Sequence, residues 1–233
     1  EEFIEQMFPN KCVRLDGDNI SSFKQLSTIL SDFHNGKKQI LVGTQLIAKG
    51  LHFPNVTFVG IMGIDNVLAM PEFRSLERGY QLLMQVSGRA GRGAQEGVVH
   101  IQTQMPEHPI FQYISTDPED FYQFELARRE SFSYPPYSKL ARLVFSHSKE
   151  GELKAVSAEV TNALAKSFKN VRFMGPAPAV IFKIKNRYRI SVLIKADTHK
   201  EMGAVLKACL PLFDRYKKGT MQMRVDRDPY FFM

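Results

Sequence analysis

The run Gln85-Val86-Ser87-Gly88-Arg89-Ala90-Gly91-Arg92 sets two guanidinium groups three positions apart on a glycine-softened backbone. Arginine stays charged at any working pH and offers a planar fork of donors to phosphate oxygens. The pair therefore suits a nucleoside triphosphate. The same octet also fits a solvated basic turn, and alone it does not separate the two.

A second segment upstream adds weight to the phosphate reading. Gln39-Ile40-Leu41-Val42 is a short apolar run with β-branched residues, the pattern of a buried strand in a parallel sheet. It ends in Gly43-Thr44-Gln45 and continues through Leu46-Ile47-Ala48-Lys49-Gly50-Leu51-His52-Phe53-Pro54 to a further apolar run at 56–62. The carboxyl edge of such strands is where open α/β sheets place ligand residues. A hydroxyl and an amide there can hold a nucleic-acid phosphate, although an ordinary capped turn would also accommodate Thr44.

Taken together, the two segments resemble the fifth and sixth motifs of superfamily 2 helicases. More narrowly, the chain resembles the replication-restart helicases of the PriA (primosomal protein N′) family. That match rests on Arg14-Leu15-Asp16-Gly17-Asp18, the stretch from Gly43 to Pro54, Phe73-Arg74-Ser75-Leu76-Glu77-Arg78 and Pro106-Glu107-His108-Pro109. It continues through Tyr134-Pro135-Pro136-Tyr137, Gly175-Pro176-Ala177-Pro178-Ala179 and Val225-Asp226-Arg227-Asp228-Pro229.

The resemblance implies an ATP-dependent DNA helicase working 3′ to 5′ on branched or stalled forks, with ATP and Mg2+ as cofactors. It implies that Arg89 and Arg92 reach the γ-phosphate as arginine fingers, with Gly88 at the nucleotide and Gln85 beside it. Thr44, Gln45 and Lys49 would hold the tracked DNA strand. The implied partners are branched or single-stranded DNA, primosome proteins and single-strand-binding proteins, for a monomer in the cytoplasm. Another superfamily 2 repair or recombination translocase would share the two motifs but not the Gly-Pro-Ala-Pro-Ala and Asp-Arg-Asp-Pro signatures. A binding module without catalysis is the other open reading.

Many superfamily 2 motors end the fifth motif in Gly-x-Asp, whereas this chain has Gly50-Leu51-His52. His52 is therefore not assigned the carboxylate's role; its imidazole suits either a phosphate contact or packing beside Phe53. The Gly-x-x-x-x-Gly-Lys-Ser/Thr loop and an acidic metal-binding box are missing from the sequence. The chain is accordingly expected to begin inside a second motor lobe and to be inactive as an ATPase by itself. Cys12 and Cys209 lie far apart, so neither a zinc site nor a disulfide framework is expected, and reduced thiols suit the cytoplasm. Family members carry zinc, but its ligands are not expected here.

The elements that position these residues follow from periodicity. With 233 residues the chain has room for two domains, and no apolar run reaches the roughly 18 residues of a membrane span. Residues 1–108 alternate strands (11–15, 40–42, 56–62, 97–102) with helices (21–35, 74–88), which predicts a partial RecA-like α/β lobe with a parallel sheet. Phe3, Ile4, Met7 and Phe8 predict an amphipathic helix at the start. Residues 109–138 predict a helical connector that starts at Pro118 and stops before Pro135 and Pro136.

Residues 139–233 predict strands at 140–146, 171–174, 180–185, 188–196 and 221–226, with helices at 152–168 and 200–215. That order suits a small α+β domain of the split βαβ kind. The resemblance implies the same, since the family's C-terminal domain is similar to a ribosomal small-subunit protein. The Gly-Pro-Ala-Pro-Ala run is expected to break the chain, and a hairpin is expected to turn at Asn186-Arg187.

Charge separates the two halves. Residues 1–138 hold 12 basic and 16 acidic residues, net −4, while residues 139–233 hold 19 and 8, net +11. A polyanion partner accounts for that asymmetry through counterion release, though a basic face also serves solubility or an acidic protein. Within the expected hairpin, alternation sends Lys183 and Lys185 to one face and Phe182 and Ile184 to the other, with Arg187 and Arg189 extending the basic edge. Those four cations are the candidate DNA contacts. Tyr188 suits either stacking on a base or packing in the core.

Overall fold

The computed structural model describes residues 2–16, 22–44, 56–88 and 97–230. It divides into two compact units, Glu1–Met70 with Arg74–Asp117, and Pro71–Phe73 with Pro118–Met233.

In the first unit the described elements run α1 (Glu2–Met7), β1 (Cys12–Leu15), α2 (Phe23–His34), β2 (Ile40–Gly43), β3 (Phe58–Ile61), α3 (Ile64–Leu68), α4 (Ser75–Ser87) and β4 (Val98–Ile101). β1 pairs with β2 from Cys12↔Ile40 to Leu15↔Gly43, and β3 with β4 from Phe58↔Val98 to Ile61↔Ile101, both in parallel. Parallel neighbours need a crossover, which α2 supplies in the first pair and α3 with α4 in the second. This is the parallel α/β pattern expected of a RecA-like lobe. Ser22 caps α2 by accepting the Gln25 amide at 3.2 Å. The expected helix at the start forms, and its Phe3 and Met7 stay exposed.

The second unit comprises α5 (Pro118–Ser131), β5 (Lys139–His147), α6 (Glu150–Ser167), β6 (Arg172–Ile184), β7 (Arg187–Ala196), α7 (His199–Tyr216) and β8 (Gln222–Arg227). Its four strands form one antiparallel sheet in the order β6-β7-β5-β8. From β5 to β8 the chain order is β-α-β-β-α-β, the expected split βαβ arrangement. Alternate residues of the two central strands, Leu143 and Phe145 on β5 with Val192 and Ile194 on β7, pack against Val160 of α6 and Val205 of α7. Each such side chain, removed from water, contributes about 1.5–3 kcal/mol. Thr198 and Glu201 close a capping box that fixes where α7 begins.

Two expectations need correction. Gly-Pro-Ala-Pro-Ala does not break the chain: β6 runs through it as one strand with register shifts between Met174 and Ala177 and between Pro178 and Lys183. β6 lies at the sheet edge, where a proline's missing donor costs no ladder bond. Gly175 sits at φ 104°, and a Cβ there would lie 2.8 Å from the Ser191 carbonyl oxygen, so only glycine fits.

The hairpin turn falls one residue earlier than expected. Ile184 pairs with Arg187, and the two residues between, Lys185 (φ 46°) and Asn186 (φ 59°), both take positive φ. That is the two-residue turn whose twist matches the strands it joins.

Candidate nucleotide and nucleic-acid interface

The fifth-motif segment begins where β2 ends. Leu15 pairs with Gly43, so Asp16 and Thr44 each follow the carboxyl end of adjacent parallel strands. This is the edge at which open sheets take ligands. Thr44 is exposed there, whereas Asp16 is buried and held by Arg14. Gln45, Lys49 and His52 lie outside the described residues.

The sixth-motif segment is carried by α4. Leu76, Tyr80 and Leu83 recur at helical spacing and are buried, which fixes the helix's rotation. Gly79 on the same side brings α4 close to its neighbours: a Cβ there would meet Leu68 Cδ2 at 2.6 Å and Ile110 Cδ1 at 3.2 Å. With that face inward, Gln85 and the terminal Gly88 are exposed. Arg89 and Arg92 follow directly in the chain and lie outside the described residues.

β3 and β4 are tied together just past their carboxyl ends. Thr103 Oγ1 donates to Asp65 Oδ1 at 2.6 Å and the Gln104 amide to Oδ2 at 2.8 Å. The Thr103 hydroxyl first, then the Gln104 amide, hold the Asp65 carboxyl below its usual range.

In the second unit, Glu125 on α5 is buried at 3 % exposure and accepts from Arg128 and Arg129 one turn on. Arg128 also donates to the Phe73 carbonyl at 3.0 Å. The Arg129 guanidinium lies 5.2 Å from the Phe73 ring centre, and Phe73 stacks on Tyr134 at 5.1 Å and 8°. Lys195 covers Tyr134 at 3.4 Å and donates to the Phe132 carbonyl at 2.9 Å. The result is a column of cation, two rings and cation joining α5, residues 71–73 and β7. Sequence reading missed it, because only the i, i+3 and i+4 spacing of Glu125 with its arginines is visible locally.

The hairpin cations part company. Lys183 stands opposite Tyr188, its ammonium 4.6 Å from that ring, on the side of the sheet that faces α6 and α7. Lys185 is at the tip of the turn rather than on a strand face, because the turn falls one residue early. Arg187 and Arg189 lie on the opposite, helix-free face. Arg187 Nη2 donates to the carbonyls of Ser146 (2.9 Å) and Thr220 (2.8 Å), so much of this cation's work is structural. Tyr188 packs against the core, the second of the two fates open to it.

On the helix-free face the register adds cations that were not singled out in the sequence. Arg142 of β5 lies opposite Asp226 of β8 and bonds it at 3.2 Å; Arg224 lies opposite Val144, and Arg172 opposite Lys195. Burial first, then the charges of Arg142 and Arg224, push the Arg189 guanidinium below its ordinary pKa. Lys195 is lowered by burial and then by Arg172. The signal was present as alternation in 222–226 and as a lone Arg142 in the apolar run 140–145, but the face is legible only once the pairing register is known.

Comparison with known proteins accounts for both halves. Residues 1–94 match the helicase conserved C-terminal domain and residues 130–230 the primosomal protein N C-terminal domain. The replication restart protein PriA of Bacillus subtilis (strain 168) is 40% identical over 237 residues, covering 100% of this chain and 29% of its own length. Its counterpart in Rickettsia felis is 36% identical over 234 residues, covering 100% of this chain and 36% of that protein. That of Synechocystis sp. is 38% identical over 234 residues, covering 98% of this chain and 27% of that protein. The chain thus spans about a third of the length of the relatives it matches. With both domain types present in order and whole-chain identity to these relatives, the chain belongs to the family of the replication restart protein PriA.

Proposed function

We propose that this chain is the C-terminal part of an ATP-driven 3′ to 5′ DNA helicase that recognises branched or stalled replication forks and promotes primosome assembly and replication restart. What carries the reading is that motif segments and basic domain together match relatives named replication restart proteins along the entire chain.

In this reading Arg89 and Arg92 stabilise charge that develops on the transferred phosphoryl group of ATP, and Gln85 orders the groups beside them. The exposed Gln85 and Gly88 at the end of α4 suit presentation of those arginines. Thr44, Gln45 and Lys49 hold the backbone of the tracked strand at the sheet's carboxyl edge. Lys183, Lys185 and Arg189, with the more structural Arg187, contribute the positive potential of the basic domain.

The phosphate-cradling loop is not in this sequence, so the chain alone is inactive as an ATPase and completes its site only in the whole protein. Among the described residues no group of three or more His, Cys, Asp or Glu could hold a metal. The Mg2+ that accompanies ATP and the zinc of the family are proposed for the remainder of the protein. No described helix is long and apolar enough to cross a membrane. Primosome proteins, single-strand-binding proteins, a cytoplasmic setting and a monomeric state complete the proposal.

The excess of +11 over residues 139–233 keeps a second reading in view, a binding module without catalysis of its own. The helicase and a nucleic-acid binding module both require polyanion binding, whereas a module that binds only primosome proteins does not. The logarithm of this chain's fork-DNA affinity is expected to fall linearly with the logarithm of salt, the affinity dropping by about 10³–10⁵ between 50 and 200 mM if six to ten phosphates are contacted. A chain that binds no fork DNA at low salt would remove the basis of both.

A further inference from the structure

Strand residues of the helix-free sheet face comprise Arg142, Arg172, Arg187, Arg189, Lys195 and Arg224, against the single carboxylate of Asp226. Three of the six are committed within the fold: Arg142 to Asp226, Arg187 to two carbonyls, and Lys195 to the Phe132 carbonyl and the Tyr134 ring. The other three are not. Arg172 and Arg224 are exposed and form no ion pair among the described residues, and Arg189 makes one long hydrogen bond, 3.4 Å to the Ile181 carbonyl.

This arrangement is costly without an anion. Arg172 stands directly opposite Lys195, and like charges in that position destabilise a sheet. Burial and mutual repulsion already depress Arg189 and Lys195. An external polyanion would relieve both.

We propose that the helix-free face of the β6-β7-β5-β8 sheet is a clamp for the phosphate backbone of duplex DNA, with Arg172, Arg189 and Arg224 as its contact residues. The inference rests on the proposed DNA-binding function and assigns it a surface and a substrate class. Arg172 on β6 and Arg224 on β8 are three strand spacings apart and, through Leu140 and Val144 of β5, four residues apart along the strands, a diagonal of roughly 20 Å with Arg189 of β7 near its Arg224 end. At 3.4 Å of rise per phosphate along one strand, that distance covers about six phosphates of a duplex.

A duplex is favoured over an unpaired strand because of what the face lacks. Non-specific single-strand sites gain much of their affinity by stacking bases on aromatic rings. Between the arginines the paired residues are Met174, Ser191, Leu193 and Val144, none of them aromatic, and the Tyr134 ring beside the face is already covered by Lys195. The face therefore holds backbone rather than bases, and holds it without regard to sequence.

The test compares this chain with the triple variant R172Q/R189Q/R224Q and with K166Q/K169Q/K207Q, which removes the same charge from exposed positions on and just after α6 and on α7. Circular dichroism and thermal unfolding first establish that both variants keep the fold. Fluorescence anisotropy then follows binding to a blunt 20-base-pair duplex and to an oligo-dT strand across a salt series. The arginine variant is expected to lose at least tenfold in duplex affinity and about two to three in the slope of log K against log salt, with a smaller change on oligo-dT. The lysine variant should keep the slope. Equal losses on duplex and oligo-dT, equal losses in both variants, or an unchanged duplex slope in the arginine variant would each overturn the clamp. If the unmodified chain binds neither DNA, the parent reading fails instead.

Discussion

In the helicase proposed above, Arg92→Ala is expected to lower kcat for ATP hydrolysis by about 10³-fold or more, while fork-DNA affinity changes by less than about threefold. The size follows from the proposed role. An arginine finger acts on charge that develops as the phosphoryl group moves, so its loss falls on kcat rather than on ground-state binding, typically by 10³–10⁵. The separation follows from position. Residue 92 lies past the end of α4, whereas the basic domain is built from residues 139–233. Arg92→Lys should rescue little, because an ammonium restores the charge without the planar fork. Hydrolysis retained in Arg92→Ala would remove the arginine-finger assignment.

Glu125→Ala destabilises the second unit by about 3–5 kcal/mol, read as a shift of the urea midpoint at unchanged slope. Glu125 is 3 % exposed and satisfies both Arg128 and Arg129, at 2.9 and 2.8 Å. Removing it leaves two guanidinium groups beside each other without their carboxylate, and breaking a buried pair from one side costs more than the pair contributes. Arg129 also lies over Phe73, which stacks on Tyr134, which Lys195 covers. Loss of Glu125 therefore loosens the column that ties residues 71–73 into this unit. Glu125→Gln keeps the acceptor oxygen and should cost less. A loss below about 1 kcal/mol for Glu125→Ala would show that the column does not depend on its carboxylate.

Parallel strands in the first unit were legible because each is a short apolar run followed by Gly, Thr or a polar turn, and all four form within a few residues of expectation. The split βαβ order was legible for a similar reason: Leu153, Val156, Val160 and Leu164 repeat at helical spacing, and 140–145 is a short apolar run broken only by Arg142. The hairpin was less so. Lys185 has no local mark of a left-handed residue, so Asn186 drew the turn one position too far, and a one-residue slip changes which face each cation occupies. The continuity of β6 escaped because proline and glycine read as breakers unless the strand is known to lie at an edge.

Phe73 belongs to a stretch quoted for its family resemblance, yet its contacts with Arg129 and Tyr134 are too distant in sequence for any periodicity to register. The candidate site divides in the same way. Gln85, Gly88 and Thr44 were found from motif spacing and stand exposed at element ends. Arg172 and Arg224, scattered along the chain, became a surface only through strand pairing.

The proposed helicase function is tested most directly by strand displacement by the whole protein on a fork with labelled arms, with ATP and with a non-hydrolysable analogue. Unwinding is expected to require hydrolysable ATP, to proceed 3′ to 5′, to favour the fork over a blunt duplex and to disappear in Arg92→Ala. Unwinding that persists with the analogue, or ATP-dependent hydrolysis with no strand displacement on any fork, would contradict it.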